Sequence, residues 1–192
     1  MSISASHRTH TRDGVPGRSG QIAHSVVASM LLDAEIAPGE ISDHARLQRT
    51  VHKACAGVGK SLNGHRIYIS AFTAASKYLS RLRPLSASLL AAEETVQGVR
   101  PDLTWLHSNS GVFFDELKTG RYVTVDKVQK QVVQQLLAGI EEYGASFLGV
   151  RVLSTSIPSN SLMFLPDGSI QPLQASWLAI PSLRPADRFG VN

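Results

Sequence analysis

Two short apolar runs, residues 99–107 and 112–117, flank the tripeptide Asn109-Ser110-Gly111, and this pairing constrains the fold more than any other part of the chain. Both runs are rich in β-branched and aromatic side chains and Asn-Ser-Gly is turn chemistry, so the sequence predicts an antiparallel β-hairpin. Alternation along the second strand sends Glu116 and Lys118 to one face and Asp115 with Leu117 to the other. With Asp102 on the first strand, the hairpin presents two carboxylates and an amine to one place, and Asp115 is left a structural role.

That residue choice suits one kind of chemistry. Mg²⁺ is a hard cation that takes oxygen ligands in an octahedron and keeps several waters, so one or two carboxylates and a substrate phosphate complete a site. Bound metal acidifies a water and offsets charge on a phosphate, while a neighbouring ammonium orients the water or stabilises the transition state. Asp102 and Glu116 are the candidate carboxylates and Lys118 the candidate ammonium.

Pro101-Asp102 followed by Glu116-Leu117-Lys118 resembles the "PD…ExK" signature of the PD-(D/E)xK nuclease superfamily, the restriction-endonuclease-like fold. The resemblance implies an α/β core with a mixed central sheet flanked by helices. Laid over that order, the first helix falls at 71–82, the first strand at 88–97, the hairpin next, a second helix at 126–143 and a last strand at 146–153. It implies a Mg²⁺-dependent enzyme, with Mn²⁺ as a substitute, that hydrolyses phosphodiester bonds of DNA. Asp102, Glu116 and the carbonyl of Leu117 would hold the metal, and Lys118 would place the attacking water. Glu93 or Glu94, on the preceding strand, is the candidate for a third acid.

The segment after the lysine supports the same order. Val128, Val132, Val133, Leu136, Leu137 and Ile140 recur at helical spacing as one apolar stripe, with Asp126 placed to cap the helix. Gln131 and Gln135 lie one turn apart on its flank and, by themselves, are ordinary polar residues at a helix edge. In the branch of the superfamily that includes recombination exonucleases, a Gln-Leu-x-x-Tyr element on this helix lines the active site. Gln135-Leu136-Leu137-Ala138-Gly139 is similar, with glycine in place of the tyrosine.

A competing motif lies upstream, where Ala54-Cys55-Ala56-Gly57-Val58-Gly59-Lys60-Ser61 resembles a relaxed phosphate-binding P-loop, with Val112-Phe113-Phe114-Asp115-Glu116 as the apolar, acid-bearing strand that partners it, and would make the chain a nucleotide hydrolase. Such a loop needs a buried strand before it and a helix starting at the Lys-Ser pair. The residues before it are polar and read as the end of a helix that Gly57 caps, and Asn63-Gly64 after it is a turn signal that should stop a helix. A third reading keeps the nuclease-like fold as a non-catalytic DNA-binding or assembly protein.

The formal charge of +4 suits a polyanionic partner, DNA above all, and Lys77 and Arg81 are candidates for backbone phosphate contacts. A protein partner or a homodimer is compatible with the sequence. The single cysteine, Cys55, leaves no intramolecular disulfide and no four-thiolate iron–sulfur cluster, and the seven histidines show no zinc spacing. With no membrane-length apolar run and no secretory signal in the sequence given, a cytoplasmic location is the expectation.

Residues 1–19 read as a disordered basic arm, 20–60 as a helical extension packed on the core, 61–180 as the core and 181–192 as a loose tail. Within the extension, Ile22, Val26, Val27, Met30 and Leu31 make one helical stripe, and a second helix starts after Ser42. Two short basic helices in succession also invite a helix-turn-helix reading, although packing on the core is preferred. Residues 66–70 fit either a short strand or a first helical turn. Pro166-Asp167-Gly168 marks a further hairpin between 162–165 and 170–173.

Overall fold

The computed structural model describes residues 15–33, 44–58, 61–108, 110–120 and 123–173. The expectations for residues 1–14 and for the tail from 181 lie outside these. Strands β1 (Ala87–Ala92), β2 (Leu103–His107), β3 (Val112–Lys118), β4 (Phe147–Ser154), β5 (Leu162–Phe164) and β6 (Ile170–Pro172) form one sheet in sequence order. Neighbours are antiparallel except β3 and β4, which run parallel. A parallel pair requires a crossover, and α4 (Val125–Tyr143) supplies it. Helices α1 (Val15–Leu32), α2 (His44–Ala54) and α3 (Leu62–Lys77) precede the sheet, and α3 continues into a π-helical turn, Tyr78–Leu82.

The result is an α/β fold with a mixed six-stranded sheet flanked by helices. Alternation on β3 divides it into two cores. Phe113 and Leu117 join Trp105, Leu103 and Leu153 beneath apolar side chains of α1, α2 and α3. Phe114 joins Val150, Val152 and Phe164 beneath Val128, Val132 and Leu136 of α4. Among the described residues no helix is long and apolar enough to cross a membrane.

Several expectations need correction. The arm is shorter than 19 residues, because α1 starts at Val15: Pro16 suits a first helical turn and Ser19 is already buried. Residues 66–70 are helical, since α3 begins at Leu62 with the Ser61 hydroxyl accepting from Gly64 N at 3.1 Å. Asn63-Gly64 therefore opens a helix where a turn signal was expected to stop one. This meets one requirement of a P-loop, but α2 stands where the buried strand should be, and Lys60 lies outside the described residues. Gly57 is not the cap of α2, which ends at Ala54 and closes through Cys55 N to Val51 O and Ala56 N to Lys53 O.

The first strand stops at Ala92, short of 97. Glu93 takes a left-handed φ of 55°, and Gln97 and Gly98 follow at 45° and 79° in a tight turn whose flanking Val96 and Val99 exchange backbone hydrogen bonds. The second strand starts only at Leu103. Thr124, not Asp126, is the N-cap position of α4, and Asp126 falls in the first turn, where its charge still complements the helix end. The stripe on α4 is narrower than its spacing suggests: Val133, Leu137 and Ile140 are exposed, and the face on the sheet is Val128, Val132 and Leu136 with Gln135 and Gly139 beside them. The hairpin of β5 and β6 turns through Gly168, at φ 84°.

Candidate active site

The C-terminal end of β3 is where the polar side chains gather. Leu103 pairs with Asp115, so Asp102, one step before β2, stands opposite Glu116 and on the same face. Asp102 Oδ2 accepts the Leu117 backbone N–H at 2.6 Å, which ties the acid to the strand carrying the other two groups. Lys118 Nζ donates to Glu116 Oε1 at 2.6 Å. Asp102, Glu116 and Lys118 are thus brought together as strand alternation predicts.

Helix α4 completes one wall. Gln135 is buried and donates through Nε2 to Glu116 Oε2 at 2.7 Å, while Gln131 Oε1 accepts from Lys118 Nζ at 3.0 Å. Neither glutamine is an ordinary edge residue: both are bound to the acid and the lysine one strand below. Gly139, in the place of a tyrosine, lies against Phe147, whose ring would be only 2.2 Å from an added Cβ. No side chain fits there.

The other wall belongs to α1 and holds a residue that sequence reasoning missed. His24 Nδ1 lies 3.1 Å from Asp102 Oδ1. Burial opposes charge on this imidazole, but the hydrogen bond to Asp102 and the charges of Asp102 and Glu116 outweigh it and raise it above its ordinary value. Nothing local to His24 marks it, since its partner arrives from a distant strand.

Glu116 is the deepest of the group, its side chain 4% exposed against 17% for Asp102 and 27% for Lys118. Burial first, then the Asp102 carboxylate, pushes Glu116 above the usual carboxylate range, and Lys118 and Gln135 pull it only partly back. Gln135 Oε1 beside it is buried without a partner.

Two clefts meet at this point. One, of about 520 Å³, runs between α1 and α4 over Lys118, His24, Gln131 and Lys127. The other, of about 640 Å³, lies beside α3 and includes Lys77, Thr73 and Ser156, and both share Thr119 and Gly120. Lys77 Nζ donates to the Ser156 carbonyl at 3.1 Å, and Arg81 is exposed on the π-helical turn. Of the remaining acids, Glu93 pairs with Arg100 and lines a third cleft, of about 330 Å³, together with Asp102 and His24. Glu94 is exposed, and Asp115 is on the opposite face in a buried pair with Arg151.

Among the described residues no three His, Cys, Asp or Glu side chains are grouped closely enough to hold a metal by themselves. An ion here would need oxygens beyond the side chains, from backbone, water or a substrate phosphate, which is the habit of Mg²⁺. Two neighbouring carboxylates, one of them raised by burial and then by the charge of the other, are a donor set that a divalent cation relieves. No protein-family model, curated protein or solved structure matches the chain.

Proposed function

We propose that the protein is a Mg²⁺-dependent nuclease of restriction-endonuclease-like fold that hydrolyses phosphodiester bonds of DNA. The observation carrying this reading is the gathering of Asp102, Glu116 and Lys118 on one face at the end of β3, beside an open cleft. Asp102, Glu116 and the Leu117 carbonyl would hold the ion. When bound, it would acidify a water and offset charge on the scissile phosphate.

The chain's own residues do the rest. Gln135 and Lys118 each take one oxygen of Glu116, which fixes the carboxylate's orientation. His24 and the Leu117 amide do the same for Asp102. Lys118, held between Glu116 and Gln131 at the cleft wall, places an ammonium where the attacking water and the phosphate oxygens meet. The two clefts that share Thr119 and Gly120 carry lysines and hydroxyls and no carboxylate, which suits a phosphate-bearing strand.

The test is cleavage of linear, circular and single-stranded DNA with Mg²⁺ and with chelator. Metal-dependent cutting that Lys118→Ala abolishes is the expected result. Binding of DNA without cutting under any metal condition would replace the enzyme with a non-catalytic DNA-binding module.

A further inference from the structure

From His44 to Ala92 the chain has no Asp or Glu but eight Lys and Arg, although 15 acids are spread through its 192 residues. That stretch supplies α2, α3 and β1. Helix α2 buries only Leu47 and Val51, which leaves Arg49, His52 and Lys53 on its outside. Arg46 is answered by Asp33 at 2.9 Å, whereas among the described residues neither Lys53 nor Arg66 meets a carboxylate. The charge is therefore concentrated on the outer faces of two adjoining helices.

Between those faces runs a groove. Two clefts, of about 580 Å³ and 440 Å³, share Gln48, His52 and Tyr68. Tyr68 is half-buried, stacked on Phe72 at 6.3 Å and met edge-on by His52 at 6.4 Å. Lys53 stands on one rim and His65 on the other. An aromatic floor under a cationic rim suits a ligand that is both a polyanion and a carrier of flat rings.

We propose that this groove binds a single nucleic-acid strand, with its phosphates against Lys53 and Arg49, which line it together, and a base against Tyr68. A duplex hides its bases from such a floor, and a lipid surface or an acidic peptide makes no use of it. The surface is distinct from the candidate active site. Helix α3 spans the gap: it carries Tyr68 midway and Lys77 of the cleft beside Thr119 at its end, about 14 Å further along the axis at 1.5 Å per residue. A strand seated here anchors the protein away from the bond being cut.

The test measures affinity of the full chain for long oligothymidylate, in chelator so that no cutting occurs, as a function of salt. Lys53→Gln with Arg49→Gln should weaken binding roughly tenfold and flatten the log–log salt slope by about 1.4, two phosphates at 0.7 each. Tyr68→Leu should weaken the single strand roughly tenfold and leave duplex binding unchanged. Both variants should cut a minimal phosphodiester at the wild-type rate in Mg²⁺. Unchanged affinity and slope in the double variant, or binding of anionic vesicles without oligonucleotide, would overturn the groove. Cutting that persists in that case leaves the nuclease reading standing, and strand binding that needs Lys53 and Arg49 in a protein that never cuts leaves the groove standing without it.

Discussion

Asp115 and Glu116 are neighbours in the chain, both are buried, and their carboxylates lie on opposite faces of the same sheet. Asp115 receives two bonds from Arg151, each 2.6 Å, and one each from the Tyr78 hydroxyl at 2.7 Å and the Trp105 indole at 3.0 Å. Glu116 receives one from Lys118 and one from Gln135 and stays above its ordinary value. One acid is fully compensated inside a core; the other, beside a cleft, is compensated only in part.

Their substitutions should therefore separate. Asp115→Asn leaves the Arg151 guanidinium buried without its counter-ion and should cost about 3–5 kcal/mol in urea unfolding. Glu116→Gln should leave stability within about 0.5 kcal/mol of wild type or raise it, while abolishing metal-dependent cutting. Equal losses from the two variants would show that both acids are structural.

The raised Glu116 also sets a pH dependence. Its folded state holds the proton more tightly than the unfolded chain, so without metal its unfavourable contribution is absent below the ordinary value of 4.5 and grows as pH rises through the raised value. Melting of wild type should gain less than that of Glu116→Gln as pH rises through this window. Parallel curves for the two proteins would remove Glu116 as the source.

Gln135 orients Glu116 from α4 without facing the open cleft. Gln135→Leu should raise the Mg²⁺ concentration needed for half-maximal cutting by about 10–100-fold, the usual effect of losing a group that positions a ligand. An unchanged metal requirement would separate the glutamine from the site.

Lys118→Ala should abolish cutting and keep most DNA affinity, because only this amine contacts Glu116 while many cations share phosphate binding. Lys77→Ala or Arg81→Ala should instead weaken binding and lower the salt slope by about 0.9 on duplex DNA. A Lys118→Ala protein that cuts at the normal rate would refute the active site.

Gly139 is a packing position. Gly139→Ala puts a Cβ into the Phe147 ring, which is itself packed against Phe114 and Tyr143, and should cost about 1–3 kcal/mol by thermal or urea unfolding.

What was legible in the sequence was local. Period-two alternation places Glu116 with Lys118 and Asp115 away from them, and the Asn-Ser-Gly signal between two apolar runs predicts the hairpin of β2 and β3 that brings Asp102 opposite. What was hidden depends on distant partners. His24 acquires its meaning only when α1 meets the start of β2, and Gln135 is polar on an apolar stripe because Glu116 waits beneath it. Asn63-Gly64 misled because the Ser61 hydroxyl, not the residues themselves, decides that a helix begins there. The length of β1 was overestimated because a left-handed Glu93 carries no composition signal.

Helix α1 closes over the site closely enough that a Cβ on Gly20 would sit 2.8 Å from Thr119 Oγ1. The α/β half of the molecule is consequently not a separable unit. A fragment trimmed to start after α1 would lose the histidine that steadies Asp102 and one wall of the cleft, and would open the apolar core under Val26 and Met30 to water.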